Sequence, residues 1–391
     1  MSEPFVAPYG SWKSPISAEV VIAATVRLSS IALDGEDVYW LEMRPDEGGR
    51  SILVRRSPDG QTTDVTPAGL NIRTQVHEYG GGAYTVADGT VYFSNWDDQR
   101  LYRQEPGREP RAITPEGKLR YADGVIDGRR SRMVCVCEDH RTPGQEAANS
   151  LVALDLEGKR PRRLLAEGND FYASPRLSPD GSRLAWLTWN HPNMPWDGTE
   201  LWLGSLAEDG RLLESRRIAG GETESIFQPE WSPDGRLHFV SDRTGWWNLY
   251  RWRDGQVEPL CPMEAEFGLP QWVFGMSTYA FVSNTSLLCA YTQQGSQHLA
   301  MLDTVTGQLR SIDTPYMMIT QIRANLDRAL FRGGSPTESV SVVELVLATG
   351  EHQVLRRTSQ ADVDPAYLSL PEPVEFPTEQ GRTAHAFFYA P

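Results

Sequence analysis

The sequence contains few lysines and an excess of acidic residues. Only three of its 37 basic residues are lysines, and 52 acidic residues bring the formal net charge to −15 over 391 residues. No basic run is longer than a pair such as Arg55-Arg56 or Arg216-Arg217. Nucleic-acid-binding surfaces require clustered basic side chains. The composition therefore predicts no nucleic-acid partner.

Long apolar runs are also missing. A membrane helix needs about 18–20 uninterrupted apolar residues, whereas the best candidates, at 19–26 and 339–348, are short and contain a glutamate. The N-terminal residues Met-Ser-Glu-Pro include no basic region followed by an apolar core, which a secretory signal would need. These absences predict no membrane association and a cytoplasmic location.

Cysteine is scarce as well. Four cysteines in 391 residues are too few for a disulfide framework. Cys135 and Cys137 are two residues apart, which places both on one face of a strand, but no second Cys or His pair lies nearby to complete a metal site. We interpret them as buried free thiols, and we predict no bound metal and no cofactor.

Helical periodicity is nearly absent, and two series of turn signals take its place. Only residues 17–27, with apolar side chains at 18, 21, 22 and 25, predict a helix. Asp-Gly turns begin one series at Asp34-Gly35, and a second, interleaved series ending in glycine recurs every 43 to 52 residues. Each series has seven members, the last two of the first series being weaker. The count indicates seven repeats.

Each repeat contains four short strands. In the fifth repeat, strands ending at Trp231 and spanning 237–240, 247–253 and 256–260 alternate with turns, including Asp234-Gly235 and Asp254-Gly255. Asp-Gly between alternating apolar runs is a strong hairpin signal. Seven four-stranded repeats predict an all-β fold, a seven-bladed β-propeller. Every blade draws its strands from contiguous sequence, so we expect a ring closed by packing and not by strand exchange.

The two ends of such a disc differ in character. In a four-stranded meander, the first and third turns share one face, here called the turn face. The second turns and the connections between blades share the other, the connection face. Both glycine series fall on the turn face. The irregular segments at 71–82, 95–99, 138–146, 189–199, 241–247 and 332–338 fall on the connection face. Function concentrates in such loops, so we expect the functional site there.

No catalytic motif is complete. The nearest match to a nucleophile elbow, at 275–279, has Tyr279 in place of the final small residue, and a strand pattern follows it. His77-Glu78 has no second histidine four residues later, which excludes a zinc-protease helix. The three glycines at 80–82 lack the lysine of a phosphate loop. We interpret them as a close backbone approach at the propeller centre, with a ligand contact as the alternative. The sequence predicts no catalytic residue in this chain.

Three loops hold the candidate binding residues, and each has a structural alternative. Residues 191–198 contain two prolines and a tryptophan, typical of a rigid self-packed loop or of a docking surface. Residues 242–247 suggest an Asp–Arg pair bracing a turn, or a binding loop. Glu78 is suited to a cationic substrate group, or to a hydrogen bond with nearby backbone.

The C-terminal segment reads differently from the repeats. Residues 362–373 contain three prolines, as a linker does, and residues 374–391 predict strand, turn, strand. Those strands have no partner in the remaining sequence and would expose an apolar edge. We interpret them as the start of a second domain and expect the chain to be truncated.

Several segments together resemble one family. They are residues 9–15, 77–82, 191–198, 231–235 with 241–243, and 376–391, in order along essentially the whole chain. The chain resembles the N-terminal part of a prolyl oligopeptidase-family serine peptidase of the acylaminoacyl-peptidase or dipeptidyl-aminopeptidase-like branch. The resemblance implies a propeller that caps an α/β-hydrolase domain and restricts access to short peptides. The Ser-Asp-His triad would follow the closing segment, so no triad residue is carried over.

The resemblance also implies a domain organisation and site residues. Residues 1–25 would pack on a hydrolase domain, 26–358 would form the propeller, 359–373 a linker, and 374–391 the start of the hydrolase domain. The candidates for substrate binding or gating are Glu78, Tyr79, Asp197, Arg243 and Trp246. The candidates for domain docking are His77, His191 and Trp196. The expected partners are the hydrolase domain, short peptide substrates and a second copy in a homodimer.

Two alternatives stay open. A stand-alone, TolB-like propeller that binds a protein or peptide shares the Ser-Pro-Asp-Gly turns. A propeller enzyme with its own central site, such as a lactonase or glycosidase, would need a ring of inward carboxylates or a metal cluster. Within the favoured family, aminopeptidase, acylpeptidase and dipeptidyl-peptidase activities all stay open.

Overall fold

The computed structural model describes residues 6–11, 14–22, 25–359 and 363–390. Within them the chain forms thirty strands and one short α-helix, α1 (Ala18–Ile22). Strands β1–β28 make seven antiparallel sheets of four consecutive strands each, the blades of a propeller. The prediction of an all-β, seven-bladed propeller is confirmed. No helix in these residues is long and apolar enough to span a membrane.

The blades follow one another along the chain. Blades 1 to 3 contain β1 Arg27–Asp34, β2 Asp37–Arg44, β3 Arg50–Arg56, β4 Thr62–Asp64, β5 Tyr84–Ala87, β6 Thr90–Ser94, β7 Leu101–Gln104, β8 Arg111–Ala112, β9 Leu119–Asp127, β10 Arg132–Asp139, β11 Ala148–Asp155 and β12 Arg163–Glu167. Blades 4 and 5 contain β13 Phe171–Leu177, β14 Arg183–Trp189, β15 Glu200–Leu206, β16 Leu212–Gly220, β17 Ile226–Trp231, β18 Leu237–Ser241, β19 Asn248–Arg253 and β20 Gln256–Pro259. Blades 6 and 7 contain β21 Tyr279–Phe281, β22 Ser286–Gln293, β23 Ser296–Asp303, β24 Leu309–Ile312, β25 Met318–Ala324, β26 Arg328–Gly334, β27 Ser341–Val346 and β28 His352–Arg357.

The predicted N-terminal helix is wrong in its extent. Helix α1 covers Ala18–Ile22, whereas the apolar spacing predicted a helix over 17–27. Arg27 instead begins β1 and pairs with Met43 of β2. In the sheet the backbone of Arg27 forms hydrogen bonds with a neighbouring strand, and these bonds would be lost if the helix continued to this residue. Residues 23–24 of that prediction, with 1–5 and 12–13, lie outside the described residues.

The repeated turns share one hydrogen-bonding pattern. In the Ser-Pro-Asp-Gly turns, the serine hydroxyl donates to the aspartate two residues later, at 2.6 Å for Ser178–Asp180 and 2.5 Å for Ser232–Asp234. The following glycine has positive φ, 66° at Gly181 and 80° at Gly235. A residue with a side chain would be strained in this conformation, which is why the Asp-Gly dipeptide marks the turns so clearly in the sequence.

A β-bulge recurs in the innermost strand of five blades. The residue at the bulge has a positive φ in each case and is Ser30, Asp123, Ser174, Gln228 or Gln321. A bulge leaves backbone groups unpaired within its own sheet. Here a neighbouring blade satisfies one of them each time.

The bonds between the blades form a belt around the central channel. The bonds are Tyr84 hydroxyl to Ser30 O, Asp123 N to Gly82 O (2.8 Å), Ser174 N to Asp123 Oδ2 (2.6 Å), Tyr279 hydroxyl to Gln228 O (2.8 Å) and Gln321 N to Ser277 O (2.9 Å). Buried backbone groups must be paired, so these bulges fix blades 1 to 4 to one another and blades 5 to 7 to one another.

Blade 1 closes the ring by packing against blade 7. Leu28 and Trp40 of blade 1 share one buried cluster with Leu330 and Val342 of blade 7. The backbone N–H of Val26 donates to Thr358 O at 2.8 Å. No strand is exchanged between the first and last described blades. The predicted closure by packing is confirmed.

A buried glutamate reinforces this closure. Glu42 of β2 has a side chain 2 % exposed, and it accepts hydrogen bonds from Trp40 Nε1 at 3.1 Å and Arg356 Nε of β28 at 2.7 Å. Arg44 donates to the same carboxylate at 3.1 Å. Because a buried charge needs partners, the carboxylate holds arginines from both ends of the propeller together.

Replacing Glu42 with alanine is expected to lower the free energy of unfolding by about 2 kcal/mol, since two arginines and an indole N–H lose their acceptor while the arginines regain some water. Urea denaturation followed by tryptophan fluorescence measures the change. Glu42→Gln is the matched control, because it retains an acceptor and should lose less. An unchanged midpoint for Glu42→Ala would mean that apolar packing alone closes the ring.

The C-terminal strands form a separate hairpin. Strands β29 (Pro371–Pro377) and β30 (Thr383–Tyr389) pair only with each other among the described strands. Their aromatic side chains are 41 to 57 % exposed, namely Phe376, Phe387, Phe388 and Tyr389. A β-carbon built on Gly295, in the second turn of blade 6, would lie 3.1 Å from His385 Cβ. The hairpin therefore reaches the connection face, where the blade 6 second turn lies.

Candidate functional site

A cleft lies on the connection face, over blades 3 and 4. It has a volume of about 890 Å³ and is lined by loops that are distant in sequence, at 77–80, 138–149, 167–171, 189–196 and 271–274. Each segment is a connection between blades or a second turn. The predicted concentration of irregular loops on this face thus produces one shared cavity.

Aromatic rings form the floor of the cleft. The ring of His77 packs against Phe171, Trp189 and Phe274, with centroid distances of 5.1, 5.5 and 4.8 Å. Phe171 and Trp189 are stacked at 5.2 Å. Their π-faces offer a surface for an apolar group or a cation.

His77 is held in this floor in an unusual state. It has φ of 55°, and its backbone N–H donates to Glu138 Oε1 at 3.1 Å. Its buried Nε2 has no hydrogen-bond partner. Burial lowers the pKa of His77 to about 4, although the charge of Glu138 opposes this shift. His77 is therefore a neutral, aromatic part of the floor near pH 7.

A second, exposed group of rings borders the cleft. The ring centroids of Trp196 and Trp272 are 4.4 Å apart, and those of Tyr79 and Trp272 are 5.9 Å apart. Tyr79 and Trp272 are 63 % and 53 % exposed. An apolar surface of this kind beside a cleft is typical of a contact with a ligand or another domain.

Glu138 organises one side of the cleft. Its side chain is 6 % exposed and accepts hydrogen bonds from His77 N, from Arg120 Nη1 at 3.2 Å and from His140 Nε2 at 2.7 Å. Arg120 also binds the exposed carboxylate of Glu78 at 3.2 Å. Arg120 therefore ties the 77–80 segment to blade 3.

Asp170 organises the opposite side. Its Oδ2 accepts the backbone N–H of His191 at 2.9 Å and His191 Nδ1 at 3.1 Å. The backbone hydrogen bond from His191 is the main cause of a lowered pKa for Asp170. Asp170 is thus ionised near neutral pH. The ring of His191 in turn packs on Phe171 at 4.9 Å.

The cleft is acidic. Its lining includes five carboxylates and no lysine or arginine among the described residues, the acids being Glu78, Glu138, Glu146, Glu167 and Asp170. Carboxylates around an aromatic floor favour a positively charged group, through both the field of the acids and the ring faces. The described residues contain no group of three or more His, Cys, Asp or Glu side chains placed to hold a metal ion.

The structure brings five of the predicted residues together. His77, Glu78, Tyr79, His191 and Trp196 all line the cleft. The other three lie outside its lining. Asp197 Oδ2 accepts Met194 N at 2.9 Å within its own loop, Arg243 binds Glu224 at 3.0 Å, and Trp246 is 39 % exposed.

Several lining residues were not named from the sequence. They are Glu138, His140, Asp170, Phe171, Trp189 and Trp272. Glu138, Phe171 and Trp189 lie at the connection-face ends of their strands, His140 and Asp170 lie next to strand ends, and Trp272 lies in the connection between blades 5 and 6. That position was the only signal that could have found them. Neither local spacing nor a motif joins them, because they come from blades 3 and 4, the connection between these blades, and the connection between blades 5 and 6.

A second cavity, of about 440 Å³, occupies the central channel. Arg176 extends into its wall and binds Glu230 at 3.0 Å and Asp123 at 3.5 Å. Burial lowers the pKa of Arg176, but the charges of Glu230 and Asp123 outweigh this and raise it overall. The channel wall therefore contains an arginine between two carboxylates, whereas no arginine lines the described part of the cleft.

Comparison with solved structures identifies similar proteins, whereas searches of family models and of curated proteins found no match. Puromycin hydrolase is 36 % identical with a TM-score of 0.91 over 98 % of this chain. A puromycin-hydrolyzing peptidase of Mycobacterium tuberculosis is 38 % identical with a TM-score of 0.91 over 97 %. A prolyl endopeptidase, at 15 % identity and a TM-score of 0.70 over 93 %, shows the shared fold.

The chain spans 61 % of the length of both puromycin-hydrolysing proteins and 54 % of the prolyl endopeptidase. The matched part is the seven-bladed propeller described above. The resemblance found in the sequence is confirmed: the chain corresponds to the propeller portion of prolyl oligopeptidase-family peptidases.

Proposed function

We propose that this propeller is the substrate-gating portion of a serine peptidase that acts on short peptides, with a hydrolase domain seated on the connection face. One observation supports this most directly. The acidic aromatic cleft opens on the connection face. Both ends of the propeller chain leave the propeller on this same face, where Val26 N donates a hydrogen bond to Thr358 O. A domain attached to either end would begin on the face that contains the cleft.

The exposed aromatic surfaces support the same arrangement. Tyr79 and Trp272 beside the cleft, and Phe388 and Tyr389 of the hairpin, are each more than half exposed. Apolar patches of this kind usually mark an interface. In the proposal, a hydrolase domain begins with the β29–β30 hairpin and covers these side chains, and the segment before Thr25 packs on it as well.

The charge of the cleft favours one activity within the family. A peptide with a free amino terminus carries a positive charge that Glu78 and Asp170 attract, whereas an acylated terminus carries none. We therefore propose aminopeptidase-type hydrolysis over release of acylated residues. A cytoplasmic location belongs to the same proposal, since all four cysteines are unbridged. Homodimer formation stays a prediction.

Fluorophosphonate labelling of the full gene product tests the proposal. We expect a labelled serine, and faster hydrolysis of aminoacyl naphthylamides than of their N-acetylated forms. A product that takes no label and cleaves neither substrate would overturn the proposal and favour a propeller that only binds a partner. A preference for the acetylated substrates would overturn the aminopeptidase assignment alone.

Changes at the cleft test the role of its charge. Glu78→Gln and Asp170→Asn are each expected to raise KM for aminoacyl substrates about fivefold, as loss of a partly exposed ionic contact predicts, and to leave N-acetylated substrates unaffected. Glu264→Gln is the matched control, because Glu264 is exposed on the connection between blades 5 and 6, outside the cleft. An equal change in all three variants would contradict the assignment.

A further inference from the structure

Two connections between blades meet across the centre of the propeller. One is the glycine segment, Gly80 to Gly82, which leads into blade 2. The other is the facing segment, Val273 to Gly275, which leads towards blade 6. They form a parallel β-bridge between Gly81 and Phe274, and Phe274 N donates to Gly80 O at 3.1 Å. Blades 2 and 6 are not neighbours in the ring, so this bridge spans the channel.

Both segments are anchored to the channel wall. Gly82 O accepts the backbone N–H of Asp123 in blade 3 at 2.8 Å. Gly275 O accepts Arg323 Nη2 of blade 7 at 3.3 Å, and the same guanidinium binds the hydroxyl of Ser277. The bridge is therefore held by blades that neither segment belongs to.

The two segments touch without space for a side chain. A β-carbon on Gly81 would lie 2.5 Å from Phe274 O and 2.6 Å from Phe274 N, and one on Gly82 would lie 2.9 Å from Phe274 Cβ. All three glycines have positive φ, between 53° and 87°. Gly81 and Gly82 are thus required by the closeness of the two backbones, which agrees with the interpretation made from the sequence, whereas a β-carbon on Gly80 would clash with Thr74 O of its own connection.

The bridge separates the two cavities of the propeller. Gly80 and Phe274 line the cleft on the connection face, whereas Gly82 and Gly275 line the channel cavity beneath it. A molecule passing from the channel to the cleft would have to break the bridge and the bonds to Asp123 and Arg323. The groups that form these hydrogen bonds are buried or partly buried, so breaking the bonds has a cost in free energy.

We infer that the central channel of this propeller is a dead end, and that substrates reach the cleft from the connection face, between the propeller and its partner domain. This inference rests on the proposed peptidase function and adds the access route. The size of the substrates that enter then depends on how far the partner domain can separate from the propeller. The width of the central channel has no effect on substrate size.

Hydrogen exchange tests the barrier without any activity. The amides of Phe274 and Asp123 are expected to exchange as slowly as that of Ser174, which the belt protects. Exchange of the Phe274 and Asp123 amides as fast as exposed turn amides would show that the bridge opens readily and would overturn the inference. This result is obtained whether or not the protein proves to be a peptidase.

Site-directed labelling of the full gene product tests the route. In a Cys261→Ser background, Ala32→Cys places a thiol in the channel wall and Ala147→Cys places one in the cleft. A long polyethylene-glycol maleimide on Cys at position 147 is expected to lower kcat/KM at least about tenfold, whereas the same label at position 32 leaves it within about twofold.

Equal losses from both labels would show that substrates use the channel, and the inference would fail. The unlabelled variants provide the control for the proposed function itself. If they hydrolyse no peptide, the peptidase assignment fails, and the exchange of the Phe274 and Asp123 amides still decides whether the channel is closed.

Discussion

Replacing Asp123 with alanine is expected to lower the free energy of unfolding by about 3–5 kcal/mol, the usual effect of removing one partner from a buried ionic network. Asp123 Oδ2 accepts Ser174 N at 2.6 Å, and Oδ1 lies 3.5 Å from Arg176 Nη1. The residue is 6 % exposed. Its loss leaves a buried N–H without an acceptor and a buried guanidinium with one carboxylate fewer.

The backbone of Asp123 adds to this effect. Its φ of 54° lies in the left-handed region, which Asp and Asn tolerate better than Ala. Asp123→Asn keeps both the conformational preference and an acceptor for Ser174 N, so we expect it to lose markedly less stability. The comparison of the two variants separates the loss of charge from the loss of the side chain.

Equilibrium denaturation in urea measures both variants. Glu116→Ala provides a surface control, since the side chain of Glu116 is 89 % exposed and lies 3.7 Å from Arg100; exposed pairs of this kind contribute about 0–1 kcal/mol. A change for Asp123→Ala no larger than that for Glu116→Ala would show that the belt between the blades does not stabilise the ring.

Acidification from pH 6.5 to pH 4 is expected to remove about 3 kcal/mol of stability for each of His77 and His238, from the change in pKa at about 1.4 kcal/mol per unit. Burial lowers the pKa of both side chains from 6.5 to about 4. The folded protein therefore binds fewer protons than the unfolded chain in this window. Stability is complete above pH 6.5 and falls as the pH falls.

His238 allows this effect to be isolated. It is 1 % exposed, its Nδ1 lies 3.1 Å from Arg236 O, and its ring packs against Phe281 at 4.9 Å. His238→Phe keeps the aromatic packing and has no proton to gain. In denaturation curves taken from pH 7 to pH 4, the His238→Phe variant should lose less stability than the unmodified protein. The difference should be about half of the loss expected from His77 and His238 together.

His298→Gln is the matched control, because His298 is exposed, and it should leave the pH dependence unchanged. If His238→Phe loses stability with pH as steeply as the unmodified protein, the buried histidines are not the source of the acid sensitivity. A flat curve for the unmodified protein between pH 6.5 and pH 4 would contradict the prediction for both histidines.

The blades could be predicted because their signals are local. Asp-Gly and Ser-Pro-Asp-Gly turns determine a hairpin through a positive φ at glycine and a serine–aspartate hydrogen bond, as at Ser232 and Asp234. The serine, the aspartate and the glycine that determine each turn all lie within four consecutive residues. The regular spacing of these turns was sufficient to predict both the number of blades and the face on which the glycine turns lie.

The extent of the N-terminal helix and the bulges could not be predicted, because distant partners determine them. Arg27 lies in a strand since Met43 pairs with it. The bulged residues are two serines, two glutamines and an aspartate, which are types that also occur at many positions without a bulge. Their left-handed conformation is stabilised by bonds from a neighbouring blade, and no sequence window contains both partners.

The candidate site was predicted in part. The sequence indicated the face on which the cleft lies and named His77, Glu78 and Trp196 of its lining, because irregular loops are visible in the sequence. It did not indicate Glu138 or Asp170, which are ordinary acids at strand ends until blades 3 and 4 bring them to the aromatic floor. These side chains come together only when the blades are arranged in a ring, and that arrangement is not visible in the sequence around either residue.

The sequence by itself determined that this protein is an acidic, seven-bladed propeller, since hairpin turns and strand alternation act over a few residues. Only the tertiary structure decided which loops share a cleft, how the blades are bonded, and that Gly81 and Phe274 form a bridge across the channel. These features depend on backbone groups that are far apart in sequence and must find partners once they are buried.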